Sequence, residues 1–126
     1  MAKTPLHCGI TLRLYRENKV FGPGVAELLE TVRTTHSLRS AAMKMDMAYS
    51  KAWKLIQEAE KGLGFGLLDT ATGGRQGGGA TLTEAAETLL TQYRAFETES
   101  KQAVEAAYQK HLMDFLEAAT AGKPKG

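Results

Sequence analysis

At 126 residues the chain has room for one domain with a real core and one appended element. Its 43% hydrophobic and 24% charged residues are ordinary for a soluble globular protein. No run of about 18 apolar residues is present, which excludes a membrane-spanning helix.

The N-terminus MAKTPLHCGITLRLYR lacks the long apolar core and small-residue cleavage site of a secretory signal. Cys8 is the single cysteine, so an internal disulfide is excluded and a reducing, cytoplasmic setting is expected. Cys8 itself reads as a small, half-buried residue beside a strand. The net charge of +2 decides little, but its distribution is uneven. Residues 1–61 hold ten Lys and Arg against six Asp and Glu, whereas residues 62–126 hold six against eight. The positive excess lies where phosphate contacts would be made if the chain binds nucleic acid.

Taken in chain order, Gly9 to Tyr15 alternates Ile10, Leu12 and Leu14 with Thr11, Arg13 and Tyr15, the period of a half-buried strand. Gly22-Pro23-Gly24 breaks the chain and leads into a helix whose Val25, Leu28, Leu29 and Val32 recur at helical spacing. Ser37 is placed to cap a second helix with Leu38, Ala41, Ala42 and Met45 facing inward. Asp46 falls in the following turn, where a residue that tolerates left-handed geometry is useful, and Met47 would plug the angle between helices. The third helix, Ala48 to Lys61, has Ala52, Leu55, Ile56 and Ala59 as its core stripe. Leu67–Ala71 and Ala80–Leu82 read as short strands around a loop, residues 73–79, with five glycines among seven residues. From Thr83 to about Ala119 neither proline nor glycine interrupts the chain. A helix of that length spans on the order of 50 Å at 1.5 Å per residue. Its stripe of Leu89, Tyr93, Phe96, Val104, Tyr108, Leu112 and Phe115 exceeds what so small a domain can cover, so a second copy of the chain is the expected partner. The tail, residues 121–126, is polar and expected to be disordered.

Helix, turn, helix and glycine-rich hairpin in this order form a device that presents one helix to a DNA groove and a loop to the adjacent backbone. The second helix of such a unit reads base edges with its N-terminal residues, here Tyr49, Ser50, Lys51, Trp53 and Lys54, flanked by Ser37 and Arg39 on the preceding helix. Trp53 reads equally well as a partly buried packing residue. In the glycine loop, Arg75 and Gln76 would form the polar tip of a wing on the DNA backbone or minor groove; a plain hairpin loop is the alternative. The phosphate-loop pattern needs a Lys followed by Ser or Thr at a helix start, and none follows. His7, His36 and His111 are scattered, so no metal site is expected, and nothing supplies the base and nucleophile of an enzyme.

Several of these residues carry a resemblance. Ala48-Tyr49-Ser50-Lys51-Ala52-Trp53 resembles the Ser-Tyr-Lys-Ser-Ala-Trp opening of the recognition helix in the ModE family of molybdate-responsive transcriptional regulators. Residues 71–80, followed by Leu82-Thr83, are similar to that family's wing, Ala-Thr-Gly-Gly-Lys-Gly-Gly-Gly-Gly-Ala followed by Leu-Thr. LysR-type regulators share the layout more distantly. The resemblance implies a mainly α fold with a small β-wing: a winged helix-turn-helix over residues 1–83 and a long dimerisation helix over 84–120. It also implies a homodimeric, cytoplasmic, bacterial regulator that binds double-stranded DNA. Ser50 and Lys51 stand in swapped order, and Asp46 occupies a position where the family often has glycine. The chain ends where that family's oxyanion-binding domains would begin. No molybdate or tungstate cofactor is therefore expected, and a separate effector-sensing protein would supply any signal. A protein-interaction module or a small-oxyanion-binding regulatory module without its own operator is the alternative function.

Overall fold

The computed structural model describes residues 4–70 and 79–121. The expectations for the wing tip, including Arg75 and Gln76, and for residues 122–126 of the tail fall outside the described residues. The chain divides into two compact units. One spans Thr11–Tyr93; the described part of the other consists of residues 4–10 and 94–121.

The first unit opens with a short antiparallel pair, β1 (Leu14–Tyr15) and β2 (Lys19–Phe21), with Leu14 opposite Phe21 and Tyr15 opposite Lys19. The strand expected from Gly9 thus narrows to Leu14–Tyr15, because β2 is only three residues long and can pair no further. The alternation survives: Leu12 and Leu14 pack on the core while Thr11, Arg13 and Tyr15 are exposed.

Helix α1 (Pro23–Thr35) starts with Pro23 in its first turn, where a missing N–H costs nothing, and buries Val25, Ala26, Leu28, Leu29 and Val32. It stops at His36, which takes the left-handed conformation (φ 60°) and donates its N–H to the Val32 carbonyl at 2.7 Å. Helix α2 (Leu38–Lys44) is capped as expected, with the Ser37 hydroxyl accepting from the Ser40 N–H at 3.0 Å. Its far end closes as a Schellman turn. The Met47 N–H reaches the Ala42 carbonyl at 2.9 Å and the Asp46 N–H the Met43 carbonyl at 3.1 Å, with Asp46 left-handed at φ 57°. Met47 packs partly buried against the core, in the angle between α2 and the next helix.

Helix α3 (Tyr49–Leu63) buries Ala52, Ile56 and Ala59. It ends on Gly64, whose φ of 91° suits a residue without a Cβ. The Glu60 carboxylate then accepts the Leu67 N–H at 2.6 Å and the Leu68 N–H at 3.3 Å, aiming the chain into β3 (Leu68–Thr70). β3 pairs antiparallel with β4 (Ala80–Leu82), Thr70 opposite Ala80. The Ala80 N–H also donates to the His36 carbonyl at 2.9 Å, so the base of the hairpin is bonded to the junction of α1 and α2.

Thr83 caps α4 (Glu84–Tyr108) by accepting the Ala86 N–H at 3.0 Å. The beginning of α4 completes the core of the first unit with Ala86, Leu90 and Tyr93. Tyr93 therefore corrects an expectation. Its spacing groups it with the stripe offered to a second copy, but it is 3% exposed, stands edge-on to Phe21 at 5.0 Å and donates its hydroxyl to the Leu12 carbonyl at 2.8 Å. It has no surface left to offer a partner. Leu89 is half-buried and also packs against this core. Arg33 and Glu87 tie α1 to α4 through a 2.6 Å ion pair, and that hydrogen bond raises the Arg33 pKa.

In the second unit α4 runs on to Tyr108, a π-helical turn comes next at Gln109–Met113, and α5 (Asp114–Ala121) resumes the α-helix. Neither proline nor glycine lies there, and nothing in the local sequence accounts for the π turn. A π turn works as a one-residue insertion, so it rotates the faces of the next helix by about 100° around the axis, given 3.6 residues per turn. Phe96, Leu112 and Phe115 are 48%, 50% and 67% exposed, and Val104 and Tyr108 are half-buried.

Candidate nucleic-acid interface

The two faces of α3 have opposite characters. Ala52, Ile56 and Ala59 are pressed into the core, with Leu55 partly buried against it. Ser50, Lys51 and Lys54 stand exposed and line one shallow depression with Leu55 and Glu58. The first turn of α3 contains no acidic residue, and Ala48 ahead of it provides no side-chain cap. The positive end of the helix thus carries no acidic residue in its first turn, and Lys51 and Lys54 are exposed on the same helix. Glu58, one turn past Lys54, is the acidic residue that lines the same depression.

Tyr49 and Trp53, one turn apart, are both half-buried against the core. Their rings meet edge to face, 6.4 Å between centroids and 73° between planes. The Arg39 guanidinium, from α2, lies over the Tyr49 ring at 4.1 Å from its centroid. Three residues that the sequence proposed as separate contacts are therefore one stack. For Trp53, the packing alternative and an exposed edge hold together. Ser37 caps α2, its hydroxyl oxygen accepting the Ser40 N–H.

Ser40, Met43 and Lys44, not singled out by the sequence reading, share the exposed side of α2 with Arg39, and Met43 is 73% exposed. The four-residue step from Arg39 to Met43 was the available signal.

Among the described residues no group of three or more His, Cys, Asp or Glu is arranged to hold a metal ion. No helix among them is long and apolar enough to cross a membrane. Cys8, half-buried, lies 3.6 Å from the Glu105 carboxylate within the second unit. Burial pushes its thiol pKa up, and the hydrogen bond and charge of Glu105 add to the shift.

The chain is 33% identical over 90 residues to a "Molybdenum-pterin-binding protein MopB" of Rhodobacter capsulatus, covering 71% of this chain and 33% of that protein. It is 39% identical over 67 residues to a "Molybdenum transport protein ModE" of Herbaspirillum seropedicae, covering 53% and 25%. To the "DNA-binding transcriptional dual regulator ModE" of Escherichia coli K12 it is 33% identical over 85 residues, covering 67% and 32%. The chain thus spans between a quarter and a third of the length of these three curated relatives. The model of the bacterial regulatory helix-turn-helix proteins of the lysR family matches residues 25–87, half of the chain, from α1 through the wing to the start of α4. The chain belongs to the lysR family of bacterial regulatory helix-turn-helix proteins.

Proposed function

We propose that the chain reads DNA sequence as a dimeric, cytoplasmic transcriptional regulator and is not an enzyme. The observation that carries this reading is the exposed face of α3, where Ser50, Lys51 and Lys54 line one depression and the first helical turn contains no acidic residue. Helix α3 enters the major groove, with Tyr49, Ser50, Lys51, Trp53 and Lys54 at base edges and flanking phosphates. Ser37 and Arg39 lie at the edge of that contact, and Arg75 and Gln76 carry the wing to the neighbouring backbone or minor groove.

Two copies pair through the exposed part of the long helix: Phe96, Val104 and Tyr108 before the π turn, Leu112 and Phe115 after it. The two α3 helices then meet half-sites about 34 Å apart, or a multiple of that distance. The DNA contact uses no oxyanion, so added molybdate or tungstate leaves the affinity of this chain unchanged.

Selection of bound sequences from random DNA, followed by gel-shift titration, tests the reading. An inverted repeat bound at least a thousandfold more tightly than random DNA is expected, the lower end for specific regulators. Binding that never exceeds the non-specific level refutes it.

A further inference from the structure

We propose that Arg39 acts as a positioning residue for sequence reading, not as a phosphate contact: clamped on the Tyr49 ring, it locks the Tyr49–Trp53 pair and thereby the start of α3.

The stack spans two helices. Arg39 lies in the first turn of α2, Tyr49 is the first residue of α3, and the left-handed Asp46 turn separates them. That first turn of α3 has no side-chain cap to hold it. Its backbone direction comes from the Schellman turn, and its side-chain register from this stack. At 4.1 Å the guanidinium is well inside the range at which a cation is held by a ring face. Trp53 meets the same ring edge-on and is itself packed against the core, so the chain of contacts runs from the buried interior to the Arg39 head group. Ser50 and Lys51 directly follow Tyr49, and their presentation depends on its placement. A planar guanidinium stacks on a ring in a way that an ammonium cannot reproduce.

This inference rests on the DNA-reading function, so its test has one arm that needs no DNA. In the free protein, a double-mutant cycle of Arg39→Gln and Tyr49→Leu, followed by urea unfolding, is expected to give a coupling of about two- to fivefold in the unfolding equilibrium. Tyr49→Phe, which keeps the ring, preserves the coupling. Trp53 is the only tryptophan, so its fluorescence should shift in Arg39→Gln as its neighbour loosens. Additive substitutions with unchanged fluorescence overturn the stack.

In the DNA arm, Arg39→Gln lowers the ratio of specific to non-specific affinity by about fivefold or more, the low end of one base contact, while the salt slope stays constant. Arg39→Lys recovers only part of that ratio. A slope reduced by about one with the ratio intact identifies a phosphate contact and overturns the positioning role. A wild-type chain with no sequence preference overturns the DNA-reading function, and with it the specificity role, whatever the cycle gives.

Discussion

Gly62→Ala tests how closely α3 is pressed onto the β1–β2 hairpin. A Cβ built on Gly62 would lie 2.5 Å from Val20 Cγ2, 2.9 Å from Cγ1 and 3.1 Å from Cβ. Rotating Val20 gives no relief, because turning one methyl away brings the other in, and a β-branched side chain has little rotameric freedom. Retreat of the strand is opposed as well, since Val20 is buried and the Arg16 guanidinium holds the Gly62 carbonyl at 2.8 Å. Overpacking of this kind costs about 1–3 kcal/mol. The gain in helix propensity from replacing glycine is at most about 1 kcal/mol, and less near a helix end. The clash wins. Gly62→Ala should destabilise the first unit by about 1–2 kcal/mol, with each kcal/mol lowering the melting temperature by about 4–8 °C for a domain of this size. Urea unfolding followed by circular dichroism measures the loss. In a Val20→Ala background, where both methyls are gone and only the 3.1 Å contact with the Cβ remains, the same substitution should cost clearly less. A Gly62→Ala protein as stable as the parent refutes the close packing.

Ser37→Ala removes the cap of α2 and should cost about 1 kcal/mol in the same unfolding assay. Lys54→Ala should weaken binding to all DNA and reduce the slope of log affinity against log salt by about one, read from gel shifts at several salt concentrations. Phe115→Glu places a charge on an exposed apolar position and should shift the chain from dimer to monomer in sedimentation without changing its circular dichroism. The Cys8 thiol, its pKa raised by burial and by Glu105, holds its proton to higher pH than a free thiol. Iodoacetamide should therefore modify it more slowly at neutral pH than an unstructured cysteine peptide, and Glu105→Gln should speed the reaction.

The three helices of the reading head were legible because each buries one face, and burial imprints the helical period on the sequence: Val25, Leu28, Leu29 and Val32 in α1, Ala52, Ile56 and Ala59 in α3. The left-handed turn at Asp46 was legible for a similar local reason. β2 was not, because three residues are too few to show an alternation. Nor was the role of Tyr93. Periodicity reports that a face is apolar but not what covers it, and the stripe of α4 changes surroundings along its length: buried in its own unit at Ala86, Leu90 and Tyr93, exposed at Phe96. The stack of Arg39 on Tyr49 was hidden because it joins two helices across a turn, a relation that no spacing rule within one helix can state.

The bond from the Ala80 N–H to the His36 carbonyl has a consequence for how such a reader can be altered. Because it joins backbone to backbone, no ordinary side-chain replacement removes it; only proline at position 80 deletes the donor. The wing therefore has an anchorage that does not depend on its own composition. The β3–β4 pair is thus held at the same point beside the helices whatever side chains it carries. The exposed side chains of α3 can be varied separately. The hairpin and the exposed face of α3 can thus drift, or be engineered, one at a time without dismantling the scaffold that aligns them.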